Sequence, residues 1–306
     1  MIDLRVNRAN DLFRQAFDEL SVALKPELTR RSHSFTYLIG DTGTELAAAR
    51  SKSDRVLTIL DAPLRNELAN KGKLALALKG KGINGLFPPT YFSVEEALSA
   101  NSTADMWFVK NRHGAGGKSM RCLTSEQLKD CELGPYDIIQ EGVADVSLVD
   151  DRKFTARIYL FIWNRQVFLY REGFMVMHGT PYDRNSTDYK VQIDHSGYFH
   201  GKNNIDLAPL SWHAHYRDLS ERYETAAIRL LPVLARAVAA SSNERYLMLG
   251  IDTLVTKSGG VNFIEINAVP NFVHTDEINQ LVNVPFFKAC IMRIFGLPAH
   301  DLTELI

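Results

Sequence analysis

The sequence predicts a mixed α/β (α+β) chain in which helices flank antiparallel hairpins, and three observations point that way. Residues 8–24 carry Leu12, Phe13, Ala16, Phe17, Leu20 and Leu24 at helical spacing. Residues 153–162 alternate polar and apolar side chains with the period of a strand. Two apolar runs at 247–256 and 261–268 are separated by Lys257-Ser258-Gly259-Gly260, which reads as a hairpin loop.

Taken in order, residues up to about 85 read as a small mixed lobe. The amphipathic helix at 8–24 is followed by a short strand at 35–39. Asp61-Ala62-Pro63 then opens LRNELANKGKLALAL, read as one helix with an acidic cap and a proline near its start. The segment GKGINGLFPPTYFS is dense in Gly and Pro and reads as a linker. Strands dominate 107–174. A helix is expected at about 219–240, its apolar stripe formed by Ala226, Ala227, Leu230, Leu234, Ala237 and Val238, and a last helix near 275–295.

A chain of 306 residues is long enough for two or three lobes around a substantial core. Its 35 basic and 36 acidic residues leave a net charge of −1, so no global field draws in nucleic acid or an anionic membrane. Cys122, Cys131 and Cys290 lack zinc spacing, and an odd, sparse set argues against a disulfide framework. No apolar run approaches the roughly 20 residues of a membrane span, and the first residues lack the apolar core of a signal peptide. The expected location is the cytoplasm.

The acidic hairpin carries the strongest chemical signal. A four-residue loop at 257–260 sets Thr256 opposite Val261 and therefore Asp252 opposite Glu265. Asn267 points to the same face as Glu265, while Leu247, Leu249, Ile251, Ile264 and Ile266 are expected to bury the other. Two carboxylates and an amide suit a hard cation, magnesium or alternatively manganese, shared with substrate phosphates. Without a cation, directly opposed like charges would destabilise the pair.

Two further segments are rich in phosphate-binding chemistry. In MWFVKNRHGAGGKSMRCL, Gly114, Gly116 and Gly117 allow backbone N–H groups close to phosphate oxygens, and Lys110 supplies a point charge. Arg112 stands where a P-loop needs its first glycine, so that motif is rejected. In DRKFTARIYLFIWNRQVFLYREGF, Lys153, Thr155, Arg157 and Tyr159 share one face. A three-residue loop of Trp163, Asn164 and Arg165 would set Arg157 opposite Arg171, and a two-residue loop would separate them. Paired arginines would clamp an anion, whereas separate ones would pair with acids such as Asp151 or Glu172. The apolar strand YDIIQEGV runs into polar residues, and Trp212-His213-Ala214-His215 lacks an evident third metal ligand.

In this order, WFVKNRHGAGGKSM, IIQEGV, RKFTARIYLFI, LYREG and LGIDTL…FIEINAVPNF resemble the ATP-grasp superfamily, and more narrowly the tubulin-tyrosine ligase-like family, over residues 87–272. The resemblance implies two antiparallel-sheet lobes gripping ATP: a small ATP-grasp lobe at 87–145 and a large one with the metal site at 146–306, after an N-terminal lobe at 1–86. It implies that Lys110 contacts the nucleotide phosphates under a lid formed by residues 114–117. Gln140, Glu141 and Val143 would lie along the adenine and Lys153 near the nucleotide. Arg157 and Arg171 would act at the γ-phosphate, and Asp252, Glu265 and Asn267 would hold Mg2+ or Mn2+. Two positions depart from the family pattern. Thr155 replaces the acid of K-F-D-x-R, and Val191-Gln192-Ile193-Asp194 is only a loose counterpart of His-Leu-Thr-Asn.

The implied activity is ATP-dependent ligation of a carboxylate to an amine through an acyl phosphate. The partners would be a small-molecule or peptide carboxylate and an amine, an amino acid among them, with no nucleic acid and no membrane. An ATP-grasp phosphotransferase and a non-catalytic nucleotide-binding module are the alternatives.

Overall fold

The alternating stretch at the middle of the sequence becomes a long inner strand of the molecule's larger sheet. The computed structural model describes residues 4–6, 12–23, 35–38, 47, 50–51, 55–114, 116–117, 119–193, 205–272 and 274–306. In chain order the elements begin β1 (Leu4–Val6), α1 (Leu12–Ala23), β2 (Phe35–Leu38), β3 (Arg55–Ile59), α2 (Ala62–Ala69) and α3 (Lys71–Gly80). Next come β4 (Thr90–Tyr91), α4 (Val94–Ser99), β5 (Met106–Asn111), β6 (Arg121–Thr124), α5 (Ser125–Lys129), β7 (Asp137–Glu141) and β8 (Leu148–Val149). The rest are β9 (Arg152–Trp163), β10 (Gln166–Pro181), α6 (Tyr189–Gln192), β11 (Asp206–Pro209), α7 (Tyr216–Ala240), β12 (Arg245–Val255), β13 (Val261–Asn267), α8 (Asp276–Ile278), α9 (Val284–Ile294) and β14 (Leu302–Glu304).

Two sheets result, in a mixed α/β arrangement. The small one is wholly antiparallel, in the order β4-β7-β5-β6. The large one runs β1-β2-β3-β12-β9-β10-β11, with β13 on β12, β14 on β10 and β8 on β9. Around β9 it is antiparallel, whereas β1, β2 and β3 add a parallel edge through β12. Long β9 and β10 are buried almost throughout because helices pack against them: Leu230 and Leu234 of α7 share their core cluster, and Phe286 of α9 packs on Tyr159 (4.8 Å) and Tyr170 (5.2 Å). Leu160, Phe161, Ile162, Leu247 and Leu249 lie at 0% exposure in the same core cluster as Leu230 and Leu234 of α7.

Several boundaries differ from the sequence reading. The single helix expected after Pro63 is two. Asn70 adopts an extended backbone, its side chain accepts a bond from the Lys73 N–H (3.0 Å), and the Lys71 N–H is drawn to the Arg112 carbonyl (3.1 Å). Asp61 sits at the N-cap position, but its carboxylate meets Arg245 (2.6 Å) rather than the helix. The end of the expected linker supplies β4 to the small sheet. The last helix contains a π-helical turn at Asn279–Asn283. Fully buried Asn283 accepts from the Tyr159 hydroxyl (3.0 Å) and donates to the Phe272 carbonyl (3.1 Å), and the extra residue in the turn accompanies that inward-facing polar side chain.

Among the described residues no helix is long and apolar enough to cross a membrane.

Candidate functional site

On β5, alternation puts Trp107 and Val109 into the small hydrophobic cluster with Leu128 and Ile139, and turns Phe108 and Lys110 the other way. On β9 the same rule turns Lys153, Thr155 and Arg157 towards them. Together with β12 and β13 these strands enclose a cavity of about 310 Å3. Of the residues read from the sequence, Lys110, Gly116, Gly117, Gln140, Glu141 and Val143 line it from the small-sheet side. Lys153, Arg157, Asp252, Glu265 and Asn267 line it from the large sheet.

The carboxylates meet as expected. Asp252 pairs with Glu265, and the Asn267 amide donates to Glu265 Oε1 (3.1 Å) and Asp252 Oδ2 (3.3 Å). The route to that register is different, however. Val255, not Thr256, faces Val261, which lengthens the loop by one residue, and a bulge before Glu265 restores the pairing. Phe263 is thereby buried and Ile264, expected on the buried face, lines the cavity instead.

Each acid has a cationic neighbour. Arg157 grips Asp252 with two nitrogens, Nε on Oδ1 and one Nη on Oδ2 (2.9 Å). Gly250 makes room for this: a Cβ there would stand 2.9 Å from Pro270 and 3.1 Å from the Arg157 side chain. Lys71 Nζ lies 3.2 Å from Glu265 Oε2 and donates to the Gly114 carbonyl (2.6 Å). Burial, only partly offset by Arg157, pushes the Asp252 carboxyl up to about 6, and Glu265 adds to the rise. At Glu265 burial acts in the same direction but is outweighed by Lys71 and by bonds from Asp252 and Asn267, which bring it down to about 2.

The two lysines are placed differently. Lys110, 7% exposed, donates to Gln140 Oε1 (2.6 Å), and Lys153, 5% exposed, donates to the Gln192 carbonyl (2.8 Å). Among the described residues neither ammonium has a carboxylate within ion-pair distance. Burial pulls both down to about 8. Both also lie over the Phe108 ring, at 5.6 and 5.3 Å.

Gly116 and Gly117 hold left-handed backbone, φ 65° and 66°, that glycine adopts without strain. Glu141 Oε1 accepts from the Tyr91 hydroxyl (2.6 Å). Gly114 does not line the cavity, because its carbonyl is turned to Lys71. Arg171 is not brought to Arg157. The β9–β10 loop has two residues, Asn164 and Arg165, at φ 48° and 63°, which pairs Trp163 with Gln166 and leaves Arg157 opposite Phe174. Arg171 sits in an irregular stretch between Leu169 and Gly173, exposed, donating to Thr303 Oγ1 (3.1 Å). His213 packs on Phe154 (5.5 Å), and the described residues contain no group of three His, Cys, Asp or Glu side chains placed to hold a metal. Asp194 lies outside the described residues.

Sequence reasoning missed Lys71, one of several lysines in its helix with no pattern to single it out. It also gave no role to Gln192 and Ile193, which line the cavity beside Lys153. The donor set fits a hard cation that retains phosphate or water oxygens: two carboxylates and an amide converge, one acid held ionised. No protein-family model matches the chain, and no curated protein matches it.

Proposed function

We propose that the chain is an ATP-dependent carboxylate–amine ligase of ATP-grasp type. The observation that carries this is the pair of buried ammoniums, Lys110 and Lys153, with only neutral partners, facing the Asp252–Glu265–Asn267 cluster across one cavity. Buried charges of that kind call for an anionic ligand. A polyphosphate satisfies both halves of the site, its oxygens meeting the lysines and the N–H groups near Gly116 and Gly117.

Asp252, Glu265 and Asn267 would hold magnesium, which when bound neutralises charge on the phosphate oxygens. The chain's own residues do the positioning. Lys110 and Lys153 fix the phosphates, and the Gln140–Val143 segment lines the space for the base. Arg157, held over Gly250 by Asp252, faces the oxygens on which charge develops. A substrate carboxylate oxygen attacks the γ-phosphorus, the bond to the β-phosphate oxygen breaks and ADP leaves. The nitrogen of a neutral amine then attacks the acyl carbon. The C–O bond to phosphate breaks, inorganic phosphate departs and the nitrogen loses a proton, giving an amide. The family resemblance supports the amine as acceptor.

Purified protein with magnesium, ATP and pooled carboxylates and amino acids tests the reading by phosphate release and mass spectrometry. The expected product is the sum of acid and amine less water, formed with ADP and phosphate. A phosphorylated product, or turnover unaffected by Glu265→Gln, would refute it.

A further inference from the structure

A second cavity, about 360 Å3, lies behind the first and shares Pro88, Gln140 and Ile264 with it. Its walls are mainly apolar: Leu74 and Leu78 from α3, Ile83 and Phe87 from the segment before β4, and Phe92 after it. Its polar side chains are mostly engaged already. Glu96 accepts from the Phe92 N–H (2.9 Å), and the Tyr91 hydroxyl is tied to Glu141. Lys79 is exposed. Lys71 is the exception that matters, because it lines this cavity while its ammonium touches Glu265 of the first.

We infer that this second cavity seats the acid that is activated, a monocarboxylate with a compact apolar body such as a branched aliphatic or phenyl group. The inference rests on the ligase reading and names its substrate class. Lys71 neutralises Glu265 in the structure. A divalent cation taken up by Glu265 replaces that partner, so the ammonium is released at the junction of the two cavities, where it receives the substrate carboxylate. The acid is then held beside the phosphate-bearing cavity while its body rests on Leu74, Leu78 and Phe87. A protonated amine would meet Lys71 as a like charge, and a second carboxylate would lose its hydration against apolar walls. The volume falls in the range of small-ligand pockets.

The test uses the full chain with magnesium and ATP, offering 3-methylbutanoate, phenylacetate and succinate. Acid binding is followed by saturation-transfer NMR and acid-dependent ADP formation by a coupled assay. Ala75 lines the cavity and is half-buried, so Ala75→Phe narrows the space without opening the core. The apolar acids should bind and drive ADP formation, and Ala75→Phe should raise their KM by about tenfold or more, the scale on which pockets discriminate by one small group. ATP affinity should stay unchanged. Preference for succinate, or an unaltered KM in Ala75→Phe, overturns the assignment while leaving the ligase reading intact. ATP binding with no response to any apolar acid does the same. Absence of ATP binding to the wild type overturns both.

Discussion

Replacing Lys153 by Met should make the protein more stable and abolish the nucleotide binding proposed for it. Lys153 is almost fully buried, and burial brings its ammonium from the ordinary 10.5 to about 8. A fall of that size means that the charged form costs roughly 3 kcal/mol in the folded state. Methionine keeps the length of the stem and its packing against Phe108 but removes the charge. It also leaves the Gln192 carbonyl without its donor, a loss of about 1 kcal/mol. The net expectation is a gain of about 2 kcal/mol, or about 4 °C in Tm for a chain of this size. The assay is thermal unfolding with and without magnesium and ATP. The variant should melt higher alone and show no nucleotide-induced shift. The sign with pH follows. The folded state sheds this proton near pH 8 and the unfolded state near 10.5, so wild-type stability should rise across that window and the variant should lack this rise. A variant that melts lower and retains the nucleotide shift would refute the view of Lys153 as a buried charge awaiting an anion.

Other outcomes follow from the same geometry. Glu265→Gln should keep the fold by circular dichroism but abolish magnesium-dependent ATP turnover. Gly250→Val would collide with Pro270 and Arg157, so ATP turnover should fall steeply and stability by about 1–3 kcal/mol in urea unfolding. Arg171→Ala should leave ATP affinity unchanged and stability within about 0.5 kcal/mol, since its side chain is exposed and away from the cavity. Asn283→Leu should cost roughly 2–3 kcal/mol by denaturant titration, because the Tyr159 hydroxyl and Phe272 carbonyl lose a buried partner.

Much of the site was legible because period-2 alternation assigns faces without knowledge of the partners. Lys110, Lys153, Arg157, Glu265 and Asn267 all turn inward on that rule. The Asp252–Glu265 pairing was right through two errors that cancel, a loop one residue too short and a bulge not foreseen. Ile264 shows the cost, since the bulge reverses its face. Arg171 was undecidable from pattern alone. Asn164-Arg165 is a two-residue turn with left-handed backbone at both positions, and arginine gives no advance sign of that conformation. Lys71 and the break at Asn70 were invisible for another reason. Both are set by the Arg112–Gly114 segment some 40 residues away, and local propensity carries no information about such contacts.

The placement of β12 bears on how the molecule comes to exist at all. One edge of this strand binds β3 at Arg245 and Tyr246 and then β13 from Gly250 onward, while its other edge binds β9. The central strand of the large sheet therefore cannot be docked until a late part of the chain has left the ribosome. Arg157 waits 95 residues for Asp252. Until then β9 and β10, among the most apolar strands of the molecule, have among the described residues only each other and the short β8 and β11 as sheet neighbours. Pairings of such long sequence separation are slow to form. A nascent chain halted before residue 245 should thus be the species most prone to self-association, and a chaperone is most needed in that interval of synthesis.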